Sequence, residues 1–274
     1  TMLFTRWLKG FAGRILGNRK RTRTLARGRR GVTRGTSLGA GVFSRTIGTH
    51  SEQLEDRALL AVNAVIAGTV LTLTGDAVAN VMTISFAAGT YTFATGGDNI
   101  TVTADDATGG AVAGSGTTTL TVSAETLTTI NFNSNDGADT LTLNSRGAGD
   151  NVNASGGNQN DVFILGPGQT TFGPTATIDG GANSDTLAVT NGANTFIVTA
   201  ANAGTLGVTT TFMNMEVLTG GTGSDTVQGT AGVDAFVVTG LNAGSVAGMT
   251  FSSIEALNGV AGNDTFTLSA GVPS

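Results

Sequence analysis

The stretch from Gly220 to Val237 reads GGTGSDTVQ followed directly by GTAGVDAFV. Both halves fit one template of turn plus short strand, G-x-x-G-x-D-x-U-x, in which U is a large apolar residue. The glycines permit a tight turn or a close backbone approach. Asp225 and Asp234 place a carboxylate in that turn, and Val227 and Phe236 point inward from the strand that follows.

The template recurs. Aligning the segment from Gly180 with the one from Gly220 puts Asp185 on Asp225, Phe196 on Phe236 and Asn202-Ala203-Gly204 on Asn242-Ala243-Gly244. Further on, Glu216 falls on Glu255 and Asp225 on Asp264, so the period is 40 and then 39 residues. Upstream, SNDGADTLTL around Asp139 and GGNQNDVFIL around Asp161 give aspartate spacings of 22 and 24. The 40-residue unit reads as two coils of about 20, starting near Gly180, Ala200, Gly220, Gly240 and Gly259. So short a unit cannot bury its own strand face, but stacked on its neighbours it can. The sequence therefore predicts an all-β fold, a parallel β-solenoid or β-roll. Leu141, Phe163, Leu187, Val227 and Phe266 are expected to form an inward ladder, each contributing roughly 1.5 to 3 kcal/mol on burial.

Composition agrees with that reading. Of 274 residues 42 are glycine, 5% are aromatic, 12% are charged, and there is no cysteine. Such a mixture is poor in helix formers, and no disulfide or thiolate site is available. From Asn63 onward, strands are expected at Val70–Thr74, Val81–Phe86, Thr90–Phe93 and Ile100–Thr103, with a loop over Ala107–Thr119.

Charge divides the chain. Thr1 to His50 hold twelve basic residues and no acid, whereas Ala58 to Ser274 hold one arginine against 16 acids, a formal balance of −15. The organisation expected is a basic leader or export segment over 1–57, a β-rich part over 58–130 and the repeat solenoid over 131–274. The leader reads as a disordered segment or as a basic amphipathic helix contacting an anionic membrane during export. Its basic run, Arg19 to Arg34, lacks aromatic platforms or a folded module, so no nucleic-acid partner is expected. No stretch is long and apolar enough for a transmembrane helix. Because solenoids need a polar cap and Gly271 to Ser274 fall partway into a coil, the sequence reads as the N-terminal part of something longer.

Leu54 to Val62, LEDRALLAV, resembles the LEPRxLL motif of large secreted and surface proteins of planctomycete bacteria. Leu54, Glu55, Arg57, Leu59 and Leu60 match, and Asp56 stands where that family has proline. The resemblance covers about nine residues and implies export and a secreted or cell-surface location. GGTGSDTVQ is similar to the calcium-binding nonapeptide of RTX (haemolysin-type) β-roll proteins, in which stacked turns hold Ca²⁺. That resemblance makes Asp139, Asp161, Asp185, Asp225, Asp234 and Asp264 candidate metal ligands and Ca²⁺ the expected cofactor. Only Gly220 to Gln228 matches in full; Gln159 and Asn183 replace the fourth-position glycine, and Val260 the second.

Adjacent coils stack about 4.8 Å apart. Asp139, Asp161 and Asp185 on consecutive coils would form an acidic column favouring a cation or raised pKa values. Beyond Asp185 the acids are expected to alternate with coils offering Thr205 and Ser245. The other reading of the same aspartates is turn capping through the backbone, without metal.

No enzyme is expected. His50 is the single histidine and lies in the leader, and the body supplies one arginine, one tyrosine, no lysine and no tryptophan. Nucleophilic triads and histidine-ligated metal catalysis are thereby excluded from the body. Equivalent repeat positions give Glu216 and Glu255 a structural role. The function expected is an extracellular or cell-surface structural array whose partners are calcium ions and neighbouring surface polysaccharide or protein; the open alternatives are an adhesin for surface glycan or protein, or a passive stalk for a domain beyond this chain.

Overall fold

The computed structural model describes residues 61–105, 112–123, 127–167 and 176–270. The basic leader and the LEPRxLL-like motif at 54–60 lie outside the described residues. The described residues are all-β, with mostly parallel strands in two sheets, a β-solenoid-like architecture.

The described residues open with a hairpin of β1 (Ala61–Ala67) and β2 (Val70–Thr74), followed by β3 (Val81–Ala87), β4 (Thr90–Thr95) and β5 (Asn99–Asp105). Then come β6 (Val112–Ala113), β7 (Thr119–Ser123), β8 (Thr129–Asn133), β9 (Thr140–Leu143), β10 (Asn151–Ser155), β11 (Val162–Leu165), β12 (Ala176–Asp179) and β13 (Thr186–Val189). The final set is β14 (Thr195–Ala200), β15 (Ala203–Leu206), β16 (Thr210–Met213), β17 (Val217–Thr219), β18 (Thr226–Gln228), β19 (Ala235–Gly240), β20 (Ala243–Val246), β21 (Met249–Ser252), β22 (Ala256–Asn258) and β23 (Thr265–Leu268). Among the described residues no helix is long and apolar enough to cross a membrane. The loop expected at Ala107–Thr119 contains β6, which pairs antiparallel with β7; residues 106–111 lie outside the described residues.

Alternation explains the strands. In VLTLT the leucines Leu71 and Leu73 are buried while Val70, Thr72 and Thr74 remain partly exposed, the period of two that a sheet with one covered face requires. From β8 to β13 the chain crosses to the other sheet with each strand, so every second strand pairs parallel and in register. The first sheet thus stacks Leu73, Phe132, Ala154, Ile178 and Phe212 in one inward column. The second stacks Met82, Leu141, Phe163, Leu187, Leu218 and Phe251. Their facing side chains form the core.

The expected ladder divides among columns. Leu141, Phe163 and Leu187 share the second sheet as anticipated, but Val227 lies in the first sheet, in register with Phe196 and Leu257. Phe266 belongs to the second sheet beside Phe236, the two rings stacked at 4.8 Å.

The coil starts expected at Ala200 and Gly240 are a correction. β14–β15–β16 and β19–β20–β21 are antiparallel three-stranded meanders, so these residues end a strand before a hairpin turn. The Asn-Ala-Gly motif makes the turn: Asn202 and Asn242 adopt φ of 54° and 55°, a left-handed conformation that asparagine tolerates. Gly204 and Gly244 lie under phenylalanine rings, where a Cβ would come within 2.6 Å of Phe212 and 2.5 Å of Phe251. Because a repeat makes an odd number of sheet crossings, equivalent strands alternate sheets: β14 lies in the first, β19 in the second.

Candidate functional site

The six predicted aspartates sit at the ends of Gly-rich turns, immediately before strands, and all but Asp264 are buried. In five of the six turns a glycine five residues earlier makes the room, and Ser134 stands there before Asp139. A Cβ on Gly156 would lie 2.2 Å from Asp161 Oδ2, and one on Gly220 would lie 2.0 Å from the Ser253 carbonyl and 2.8 Å from Asp225 Oδ2. Glycine is thus required by the folded-back carboxylate and by the backbone of the adjoining coil. Where the template loses its other glycines, the backbone keeps a positive φ: Gln159, Asn183 and Val260 adopt 78°, 90° and 66°.

From Asp139 to Asp185 each folded-back carboxylate accepts a backbone N–H from the preceding coil, whereas the Asp234 carboxylate caps its own turn, accepting the Thr230 N–H at 2.8 Å. The Asn80 N–H donates to Asp139 Oδ1 at 2.6 Å, the Asp139 N–H to Asp161 Oδ1 at 2.7 Å, and the Asp161 N–H to Asp185 Oδ1 at 2.7 Å. The Asp185 N–H then donates to Glu216 Oε2 at 2.8 Å. Reciprocally, the carbonyls of Asp139 and Asp161 accept the Val162 and Thr186 N–H groups, both at 2.8 Å. Adjoining coils of this column are therefore tied in both directions, once through a carboxyl oxygen and once through a backbone carbonyl.

Asp225 does not continue that column, because the meander has moved it to the other sheet. It accepts the Asn194 N–H at 2.9 Å and the Asn194 side-chain amide at 2.8 Å, and its own N–H donates to Glu255 Oε2 at 2.8 Å. Asp234 and Asp264 form a third pair, joined by the Asp234 N–H to Asp264 Oδ1 at 2.9 Å. The structure thus brings together Asp139, Asp161 and Asp185 but separates Asp185, Asp225 and Asp264 into three columns. Thr205 and Ser245, expected to alternate with them, lie within β15 and β20.

Glu216 and Glu255 belong to the device, although neither was among the candidate ligands. Their second oxygens accept the side-chain amides of Asn202 at 2.7 Å and Asn242 at 2.8 Å. Each glutamate therefore joins the turn aspartate to the meander tip. The signal was present in the sequence: aspartate, Asn-Ala-Gly and glutamate recur together at one period.

The second carboxylate oxygens of Asp139, Asp161, Asp185 and Asp225 are buried without a hydrogen-bond partner. Burial pushes the carboxyls of Asp139 and Asp185 above the usual range. It pushes Asp161 up to about 7; the neighbouring charges of Asp139 and Asp185 add to this, and the Asp139 N–H opposes it. Calcium takes about six to eight oxygen ligands. Among the described residues no group of three or more His, Cys, Asp or Glu could hold a metal ion, and each coil of the column offers one uncommitted carboxylate oxygen. A second polar network closes the β9–β10 loop over the opening coil. The Tyr91 hydroxyl donates to Asp150 Oδ2 at 2.6 Å and accepts the Gly147 N–H at 2.8 Å, while Arg146 donates to the Asp150 carbonyl.

No family model, curated protein or solved structure matches the chain.

Proposed function

We propose that this chain is a non-enzymatic structural array of the parallel β-solenoid or β-roll type, a stiff acidic body at the cell surface or secreted, in which buried carboxylates brace one coil to the next. The observation that carries this reading is the continuous series of N–H to carboxylate bonds from Asn80 through Asp139, Asp161 and Asp185 to Glu216. The leader's resemblance to planctomycete export segments supports the location. The turn's likeness to the RTX nonapeptide supports the β-roll class.

Calcium at the Asp139–Asp161–Asp185 column is the second reading, favoured by the three buried oxygens without partners. Calcium titration of the full chain, followed by circular dichroism and calorimetry, separates the two. Bracing alone leaves the β-signal and the melting temperature unchanged at millimolar Ca²⁺. Cation binding raises both, and Asp161→Asn abolishes the rise. An adhesin role is favoured by one observation: the outer face of the first sheet repeats polar side chains in register, Thr72, Asn131, Asn153, Thr177 and Thr211. Retention on immobilised surface polysaccharide, lost when Asn131 and Asn153 become alanine, would establish it.

A further inference from the structure

A protease specific for basic residues meets a single bond in the body of this chain. Of the 14 Lys and Arg, 12 lie between Thr1 and His50, one is Arg57 and the last is Arg146. We propose that Arg146–Gly147 is a cleavage site for a trypsin-like protease, and that the buried Tyr91 hydroxyl keeps it latent by clamping the β9–β10 loop.

The loop has the composition that a protease cleft accepts. Arg146 is followed by Gly147-Ala148-Gly149, small residues with no β-branch and no proline. Ala148 and Gly149 are exposed, and Gly149 takes a φ of 91° with nothing within 4 Å of a Cβ placed on it. Exposed loops of small residues are where nicking concentrates. This one carries the chain from β9 in the second sheet to β10 in the first. Hydrolysis there, with water as second reactant, breaks the Arg146 C–Gly147 N bond, adds hydroxyl to the Arg146 carbonyl carbon and leaves the proton on the Gly147 nitrogen. The chain is then cut between Asp139 and Asp161, successive members of the carboxylate column.

In the folded chain the bond is held on both sides. Gly147 is buried, and its N–H, on the nitrogen that must leave, donates to the Tyr91 hydroxyl at 2.8 Å. That hydroxyl donates in turn to Asp150 Oδ2 at 2.6 Å. Burial first and the bond to Asp150 second push the Tyr91 hydroxyl above its ordinary pKa, so it keeps the proton it donates. On the acyl side the Arg146 guanidinium donates to the Asp150 carbonyl, away from the acidic pocket in which a trypsin-like enzyme seats a basic side chain. Ser145 Oγ accepts the Phe86 N–H at 2.7 Å and donates to the Phe86 carbonyl at 3.0 Å. The fit is close, since a Cβ on Gly147 would lie 2.2 Å from Asp150 Oδ2 and 3.4 Å from the Tyr91 hydroxyl.

Tyr91 is positioned independently of the loop. It is fully buried on β4, opposite Phe86 of β3, with the two rings 4.9 Å apart. The clamp therefore reports on the opening coil, 56 residues before Gly147. A chain in which that coil has formed hides the bond, and one in which it has not presents the bond to the protease.

The proposal makes no use of the carboxylate braces, so it stands or falls apart from the structural-array reading. The full chain, Tyr91→Phe and an Arg146→Gln control are digested with trypsin under native conditions, and the fragment that begins at Gly147 is followed by mass spectrometry. A synthetic peptide spanning Leu143–Asn151 gives the rate of the open bond. The parent should be cut at Arg146 at least about a hundredfold more slowly than the peptide, and Tyr91→Phe about tenfold faster than the parent. Arg146→Gln should not yield the fragment. Chymotrypsin, which cuts after large apolar residues, should cut the body of the parent and of Tyr91→Phe at equal rates, because the loss is confined to the loop. Peptide-like cutting of the parent at Arg146, an unchanged rate in Tyr91→Phe, or equal acceleration by both proteases would overturn the proposal.

Discussion

Between Asp139 and Asp185 the chain changes sheet with every strand, and each aspartate accepts the N–H of the previous one across 22 and 24 residues. Between Asp185 and Asp225 it makes a meander first. The next carboxylate to arrive in register is then not an aspartate but Glu216, 31 residues on. The same backbone donor is satisfied in both regions, by a short side chain from a tight turn and by a longer one from the strand approach after a hairpin. The comparison teaches that the conserved quantity along the array is the bond, while the residue supplying it follows the local path of the chain. It also separates two demands on glycine: room for the folded-back aspartate, which both regions share, and the meander turn, which only one has.

The largest effect is expected where the room for the folded-back aspartate coincides with a close approach of the adjoining backbone. Gly220→Ala forces a Cβ to within 2.0 Å of the Ser253 carbonyl and should cost about 3 kcal/mol in denaturant unfolding. Gly97→Ala, with nothing within 4 Å of its Cβ, should stay within about 0.5 kcal/mol. Next, Glu216→Ala removes the acceptor of both the Asp185 N–H and the Asn202 amide and should cost about 2 kcal/mol. Glu255→Ala, at the more exposed equivalent, should cost about half as much; equal losses would mean that the covering repeat adds nothing to the bond. Smallest is a gain: Val260 is β-branched at φ 66°, so Val260→Gly should stabilise the chain by about 1 kcal/mol. A loss there would show that the left-handed turn is held by packing on the valine side chain.

Much of this was legible in the residues. Strict alternation in VLTLT placed β2 at its observed bounds, and the recurring turn template located the six turn aspartates even where Ser134, Gln159 or Asn183 replaces a glycine. The meanders were hidden because an Asn-Ala-Gly turn after an alternating strand can either start a coil or reverse the chain. The choice is made by packing across the sheet, Phe212 over Gly204 and Phe251 over Gly244. The partners of the aspartates were hidden for a similar reason. A carboxylate in a Gly-rich turn suits a cation, its own turn, or a backbone N–H one coil away, and only the stacking register distinguishes them. Gln159 and Asn183 read as departures from the template, yet they keep a positive φ, 78° and 90°, where Gly137 and Gly223 take 129° and 137°.

The central claim is that the aspartates act as hydrogen-bond acceptors between coils, and Asp161 tests it most directly. Asparagine already stands at the head of two columns, as Asn80 and Asn194, and an amide oxygen can accept the Asp139 N–H as a carboxylate does. Raised to about 7 by burial first and by like charge second, the Asp161 carboxyl holds its proton more tightly folded than unfolded. Its contribution to stability is therefore full below about pH 4 and is lost as pH rises through 7. Thermal melts of the parent chain, Asp161→Asn and Asp161→Ala, at pH 5 and pH 8 in chelator, give the decisive comparison. Bracing predicts that Asp161→Ala melts well below the parent at pH 5, that Asp161→Asn matches or exceeds the parent at pH 8, and that its melting changes less with pH. Equal damage from asparagine and alanine at both pH values would contradict it.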